Sequence, residues 1–229
     1  MTKSFGVVLL IAITVIVTPL FAQKSPEDEN KRIADALTVL EEIMAAADKS
    51  VPQSVMEKAE GIAVFPSLIK GGVGIGGQRG HGILSVRDKK NGGWSSPAFL
   101  TITGGSIGAQ LGLQAIDLVL VINNQRGLEQ LVQNQFKVGA DASVAAGPGG
   151  RDASASTDIQ MRAHILSYSR TRGLFAGATL NGSTIRQDRD ANERFYGTAY
   201  RTGQIVFDGL GGSPEAANKW KAILTKYAS

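Results

Sequence analysis

The fold of this chain is decided by residues 61–87, which read GIAVFPSLIKGGVGIGGQRGHGILSVR. Two short apolar runs, 62–65 and 83–86, flank a segment with seven glycines between positions 71 and 82. Val73 and Ile75 lie two residues apart within it, which is the spacing of a β-strand. A strand that alternates glycine with apolar residues leaves one face bare, so another backbone or a ligand can come close. We therefore predict short, closely packed strands, the first of which stops at Pro66.

The same glycines also match a phosphate-binding pattern. Gly72, Gly74 and Gly77 satisfy G-x-G-x-x-G downstream of an apolar strand. That mechanism requires a helix whose N-terminus faces the phosphates. The residues after Gly77 lead instead into a second β-rich run, so we favour the close-packed strand over nucleotide binding.

Residues 1–22 have the pattern of a signal peptide. Lys3 supplies the positive end, residues 5–17 are nearly all apolar, and residues 19–22 (PLFA) offer a cleavage site after Ala22. The apolar run is shorter than the roughly 20 residues that span a bilayer, and an uncleaved membrane anchor is the alternative. We expect an exported protein, periplasmic or secreted, that can associate with a membrane. Residues 23–229 are expected to form a single domain, and the absence of cysteine excludes disulfides.

The charge is unevenly distributed along the chain. Residues 23–60 carry 5 basic and 9 acidic residues, whereas residues 61–229 carry 18 basic and 11 acidic residues. A basic body favours acidic partners such as nucleic acid, anionic lipid or an acidic polymer. Export argues against nucleic acid. The alternative is that this modest positive balance serves solubility alone.

Helices are predicted at both ends of the chain and strands between them. Ser25 and Pro26 begin an amphipathic helix with an acidic outer face, and a shorter helix follows at 52–59. Asn91-Gly92 indicates a hairpin turn, and Ser213-Pro214 begins a C-terminal helix. Further strands are predicted at 99–103, 107–113, 116–122, 137–146, 164–169 and 174–185. The fold class is α+β, with a curled, largely antiparallel sheet or barrel-like core on which the terminal helices pack.

Seven motifs in order resemble the SYLF family of lipid-binding domains. They are residues 61–66 (GIAVFP), the glycine run to Arg79, 94–99 (WSSPAF), 104–108 (GGSIG), 117–121 (DLVLV), 139–143 (GADAS) and 167–177 (SYSRTRGLFAG). The resemblance covers about residues 31–197. Eukaryotic members bind phosphoinositides, and some bind actin. The resemblance therefore implies a non-catalytic lipid-binding protein of the cell envelope without a cofactor, or alternatively a structural module that binds a protein partner.

A basic face is the predicted lipid-binding site. The hairpin around Asn91 combines two lysines with an aromatic residue, a combination that suits an anionic bilayer surface. Further cations can add to the field if they share that face. The alternative is that Trp94 fills the core and the lysines keep a sheet edge soluble. The candidate residues are Lys70, Arg79, Arg87, Lys89, Lys90, Trp94, Arg170 and Arg172.

A serine hydrolase is a remote alternative. Residues 104–108 fit the nucleophile-elbow pattern G-x-S-x-G around Ser106, and His164 follows acidic residues in the order of α/β-hydrolases. The elbow must lead from a strand into a helix, but the residues after it alternate like a strand. We therefore expect Ser106 to be a turn residue and the protein to have no catalytic residues.

Two carboxylates are predicted within apolar strands. Asp117 and Asp141 need partners if they are buried, either in a structural ion pair or capped turn, or in a polar pocket. Two histidines and no cysteine argue against a transition-metal site.

Overall fold

The computed structural model describes residues 26–46, 50–89, 92–148, 163–171, 174–175, 180 and 182–228, with the backbone alone at 72–75, 106–113, 171 and 174–175. The predicted signal peptide therefore lies outside the described residues, as do Lys90, Arg172 and most of the loop after Pro148.

Six helices and seven strands lie in the described ranges, which confirms the α+β class. The helices are α1 (Pro26–Ala45), α2 (Gln53–Glu57), α3 (Gln125–Leu131), α4 (Arg189–Tyr196), α5 (Thr202–Val206) and α6 (Glu215–Ala228). The strands are β1 (Gly61–Val86), β2 (Ala98–Ile122), β3 (Gln135–Lys137), β4 (Val144–Ala146), β5 (Ile165–Thr171), β6 (Leu174–Phe175) and β7 (Ser183–Gln187).

The sheet is built around one long antiparallel hairpin. β1 has 26 residues and β2 has 25, and they pair from Gly61↔Ile122 to Leu84↔Ala98. The prediction of several short strands here was wrong, because Pro66 and the glycines bend the ladder without ending it. A register shift between Phe65 and Leu68 accommodates Pro66, and a second shift follows at Gly72/Gly74.

Asp117 stabilises the first of these shifts. Ser67 in the bulge has φ of 49°, and its backbone N–H donates to the Asp117 carboxylate over 2.9 Å. Asp141 has a similar local role, because its carboxylate accepts from the backbone N–H of Lys137 in an exposed turn. The predicted strand at 137–146 is therefore two short strands joined by a turn. Both aspartates are capping residues, as the simpler of the two interpretations predicted.

The hairpin folds over so that the two halves of β1 meet. The backbone N–H of Arg87 donates to the Glu60 carbonyl over 2.8 Å, which joins residues on either side of β1. At Gly82 a Cβ atom would lie 2.4 Å from the Val64 carbonyl oxygen and 2.4 Å from the Phe65 ring. Only a glycine permits this approach. The glycine-rich middle of the hairpin lies between the two halves, and this curvature is what its composition predicted.

The remaining strands extend the sheet from β2. β5 pairs with residues 116–122 of β2, and β7 pairs with residues 100–104. The two strands therefore bind to opposite ends of β2. β3 adds to β7, and β4 and β6 add to β5. Among the pairs of named strands in the described residues, β4 with β5 is the only parallel one, which confirms a largely antiparallel sheet.

Two apolar cores lie on opposite faces of this curled sheet. One packs Ile62, Val64 and Val119 against α1, α2, α4 and α6. The other lies on the opposite face and joins Phe65, Leu118 and Phe136 with α3 and α5. The apolar stripe of α1, which the sequence predicted, is buried in the first core. None of the described helices has the length and apolar character needed to cross a bilayer.

Replacing Gly82 with alanine should destabilise the fold by about 1–3 kcal/mol, because the buried hairpin must shift to admit the new methyl group. Gly105→Ala in β2 is the matched control, since a Cβ atom there meets nothing within 4 Å. Urea unfolding monitored by circular dichroism measures both variants. Equal stability of the two would contradict the close approach at Gly82.

Candidate functional site

Two of the predicted lipid-binding residues are structural. Trp94 is 6% exposed, and the Arg87 guanidinium lies 4.9 Å from the centre of its ring. Arg87 also donates to the carbonyl oxygens of Ala59 over 2.9 Å and Met56 over 3.2 Å, just beyond and within α2. It bonds the Ala228 carbonyl at the end of α6 as well. Burial therefore removes Trp94 from the predicted basic face, and it fills the core instead. Arg87 is half-buried, and its guanidinium is engaged by these carbonyl groups and the Trp94 ring.

The other predicted cations do not form one cluster. Lys89 pairs with Glu60 over 2.8 Å, and Arg170 pairs with Glu42 on α1. Lys70 is half-buried near the first bulge of β1, whereas Arg79 is exposed in the second half of that strand. Arg79 is thus the one predicted cation among the described residues that is exposed and has no ion pair there.

Strand pairing places Arg79 in an exposed row across four strands. Arg79 lies opposite Thr103, Thr103 opposite Thr184, and Thr184 opposite Lys137. The neighbouring row runs His81, Thr101, Arg186 and Gln135 by the same pairings. Residues directly opposite in an antiparallel ladder point to the same side of the sheet. We call this surface the basic sheet face, and it consists of Arg79, His81, Thr101, Thr103, Gln135, Lys137, Thr184 and Arg186.

The row between these two points inward. Gly80, Ile102, Ile185 and Phe136 are paired in register and are all buried. This alternation fixes the orientation of the basic sheet face, because a strand sends successive side chains to opposite sides.

Three cations of the basic sheet face are exposed: Arg79, Lys137 and Arg186. Strands lie about 4.8 Å apart, so the backbones of Arg79 on β1 and Lys137 on β3 are about 14 Å apart. Arg186 donates to the Gln135 side chain over 3.3 Å, which orients its guanidinium. None of the eight residues of the face is acidic. Two carboxylates touch its residues: Asp141 accepts from the backbone N–H of Lys137, and Asp188 lies beside His81 but also pairs with Arg32.

Sequence reasoning missed Lys137 and Arg186. The signal was present, because Gln135-Phe136-Lys137 and Thr184-Ile185-Arg186 each alternate polar, apolar and basic residues. Such short segments do not reveal which strands become neighbours.

A buried ionic cluster lies at one end of the face and ties α1 to α4. Glu29 on α1 is fully buried, and its Oε1 accepts from Arg194 Nη2 over 2.8 Å. Arg32 on α1 donates to Asp188 Oδ2 over 3.0 Å, and His81 Nδ1 lies 3.6 Å from the same oxygen. Asp188 also caps α4 through the backbone N–H of Ala191.

The cluster shifts the pKa values of its members. Burial alone would raise the pKa of Asp188, but the His81 side chain and the Arg32 guanidinium together hold it well below its usual range. The bond to Glu29 raises the pKa of Arg194. The contacts of Asp188 are structural, because it pairs with Arg32 and caps α4, and both favour its charged form.

The hydrolase and nucleotide alternatives lack their required local structure. Residues 104–108 lie within β2, where Ser106 pairs with Gly76, so there is no nucleophile elbow. The expectation that Ser106 lies in a turn was also wrong. His164 Nδ1 lies 3.0 Å from Ser143 Oγ, at the start of the β4–β5 pair. Gly77 lies within β1, and no helix begins there. No group of residues in the described ranges is suited to hold a metal ion.

Comparison with known proteins finds one matching family. Residues 103–227 match the model of the Ysc84 family, described as "Las17-binding protein actin regulator". The chain is 31% identical over 210 residues to LAS seventeen-binding protein 3 of Saccharomyces cerevisiae, covering 90% of this chain and 45% of that protein. It is 33% identical over 184 residues to human SH3 domain-containing YSC84-like protein 1, covering 79% of this chain and 53% of that protein. The chain thus spans about half the length of the curated relatives it matches.

The ionic cluster gives a test by pH. Asp188→Asn should lower the free energy of unfolding at neutral pH by about 2 kcal/mol, because it keeps the cap on α4 but loses the charge that Arg32 faces. In the wild type the pKa of Asp188 is lower in the folded than in the unfolded state, so the unfolded state binds a proton first as the pH falls. Stability from this group is therefore present above about pH 4 and is lost below it.

The variant should consequently lose less stability than the wild type on acidification, as measured by urea unfolding at several pH values. Glu193→Gln, which changes an exposed carboxylate on the same helix, is the control and should behave like the wild type. If Asp188→Asn and the wild type lose the same unfolding free energy on acidification, the ionic cluster is not the source of this pH dependence.

Proposed function

The chain belongs to the Ysc84 (SYLF) family, and we propose that it is a non-catalytic binding protein whose basic sheet face binds anionic phospholipid headgroups. The observation that carries this proposal is the exposure of Arg79, Lys137 and Arg186 on one surface. These three cations outnumber the two carboxylates that touch the face, Asp141 and Asp188, and Asp188 is already paired with Arg32. The family description names a regulator that binds a protein rather than an enzyme.

The chemistry of the face suits phosphate groups. Arginine presents N–H donors in a planar fork that matches phosphate oxygens, and lysine adds a compact charge. The hydroxyls of Thr101, Thr103 and Thr184 lie between these cations and can donate to further oxygens. A face of this kind covers several headgroups rather than enclosing one.

The expected binding is weak and sensitive to salt. Each cation near an anionic bilayer contributes about 1 kcal/mol, so the three together supply about 3 kcal/mol. That amount is screened over about one Debye length, roughly 10 Å at 0.1 M salt. Helix α1 does not contribute to binding by inserting into the bilayer, because its apolar residues are buried in the core. The face therefore provides reversible association rather than anchoring.

The proposed place of action is the cell envelope. The signal-peptide pattern of residues 1–22 would export the chain to the periplasm or outside the cell, and the mass of the mature protein tests cleavage after Ala22. In that compartment the anionic surface is a phospholipid leaflet rather than nucleic acid.

A second candidate is binding to a protein partner. Relatives carry names such as "LAS seventeen-binding protein 3". In this chain Phe207 is 42% exposed and Leu210 is 48% exposed on one short segment, a feature that suits a protein contact. Recovery of one envelope protein by this chain in the absence of lipid, lost in a Phe207→Ala, Leu210→Ala variant, would favour this function.

Neutralising the face should abolish the lipid association. The variant Arg79→Gln, Lys137→Gln, Arg186→Gln should bind vesicles of mixed phosphatidylglycerol and phosphatidylcholine roughly a hundredfold more weakly, because it loses about 3 kcal/mol. Co-sedimentation at low salt measures the change, and vesicles of phosphatidylcholine alone should not pellet either protein.

The control variant removes three positive charges outside the basic sheet face. It replaces three exposed lysines on or next to the helices: Lys31→Gln, Lys58→Gln and Lys219→Gln. It should pellet like the wild type. Equal pelleting of the two triple variants, or equal pelleting of the wild type with neutral and anionic vesicles, would refute the proposal.

A further inference from the structure

A shallow cleft lies at the end of β7, next to the Gln135–Arg186 pair at the edge of the basic sheet face. It has a volume of about 480 Å³. Its walls come from the segment after α3, the last residue of β7, and the segment that includes α5. We call it the amide cleft, and the residues that matter for its chemistry are Asn134, Gln187, Arg201, Gln204, Phe207 and Asp208.

The polar side chains of the cleft are held in fixed orientations. Gln187 Nε2 donates to the Val132 carbonyl and to Asn134 Oδ1, each over 3.2 Å, and its Oε1 accepts from the backbone N–H of Thr202 over 3.0 Å. Gln204 Oε1 accepts from the backbone N–H of Arg201 over 2.9 Å. Gln187 thus uses both ends of its amide to join β7 to the segments on either side of the cleft.

These bonds leave donors available to a ligand. Asn134 and Gln204 each use the amide oxygen internally, so the amide nitrogens keep their N–H groups for the cleft. Arg201 adds a guanidinium and Asp208 adds a carboxylate, and both residues are exposed. The cleft therefore offers planar donors and one acceptor, with opposite formal charges in balance.

One wall of the cleft is apolar. Phe207 lines it and is 42% exposed, although a large aromatic side chain is normally covered. An exposed ring beside oriented amides offers apolar surface for a ligand to pack on. Phe207 and Asp208 also line a neighbouring cavity with Leu128 and Val206, so the amides of Asn134 and Gln204 are what distinguish this cleft.

From this combination we infer that the amide cleft binds a neutral saccharide ring. A sugar has vicinal hydroxyls that both donate and accept hydrogen bonds, which matches the amides, the guanidinium and the carboxylate. It also has a face of C–H groups that packs on an aromatic ring. This site goes beyond the proposed lipid function and uses none of the residues of the basic sheet face.

Other ligand classes fit the cleft less well. A phosphate or nucleotide would meet one cation with a carboxylate lining the same cleft, which cancels the attraction. An acyl chain would have to cover exposed amide and charged groups without replacing their hydrogen bonds to water. The cleft is also open, which suits a ring bound at the surface with bridging water.

The test is saturation-transfer NMR on the full chain with four free sugars: glucose, galactose, mannose and N-acetylglucosamine. At least one should receive saturation, most strongly at its ring C–H protons, which contact Phe207. Phe207→Ala should abolish the transfer. Leu210→Ala is the matched control, because Leu210 is equally exposed nearby but does not line the cleft.

A second variant keeps the test informative if Phe207→Ala disturbs the fold. Asn134→Ala removes one donor from the cleft and one acceptor of Gln187, which keeps its bonds to the Val132 carbonyl and to the Thr202 N–H. Sugar binding should weaken about tenfold, the effect of one hydrogen bond. Both cleft variants should still pellet with anionic vesicles, so failure here is distinct from failure of the lipid proposal. Absence of transfer to all four sugars, or transfer that Phe207→Ala and Asn134→Ala leave unchanged, would overturn the inference.

Discussion

The close approach of the two halves of β1 is the constraint on which this structure depends. At Gly82 the backbone lies against the Val64 carbonyl with no room for a side chain, and the Glu60–Arg87 backbone bond joins residues beside the two ends of the strand. This contact curls a single hairpin into a sheet with an apolar core on each face. It also sets the positions of everything added to β2, including β7 and β3, which carry two of the three cations of the basic sheet face.

The helices are attached to this sheet by polar groups as well as by apolar packing. Arg87 bonds carbonyl groups in the segments of α2 and α6 from one position on the hairpin, and the buried cluster of Glu29, Arg32, Asp188 and Arg194 joins α1 to α4. A buried carboxylate such as Glu29 is tolerated only when it is paired. These contacts leave one side of the sheet uncovered where the second half of β1 pairs with the first half of β2. That uncovered side is the basic sheet face.

The sequence predicted the curvature and the terminal helices because glycine spacing and apolar stripes are local signals. It did not predict that β1 continues through Pro66, because the bulge is stabilised by Asp117, which is 50 residues away. Arg87 and Trp94 were selected by residue type, but the contacts of Arg87 are made with α2 and with Ala228, which is 141 residues away. Lys137 and Arg186 join Arg79 only through strand pairing, which no short motif encodes.

The length of the hairpin also orders the assembly of the chain. Leu84 and Ala98 are close in sequence, whereas Gly61 and Ile122 pair at the far end of the same ladder. Loop-closure entropy grows with separation, and distant pairings form slowly. We therefore expect the ladder to form outward from the connection between β1 and β2. In that order the pair of Gly61 and Ile122 forms last, and a nascent chain still lacking Ile122 cannot make it.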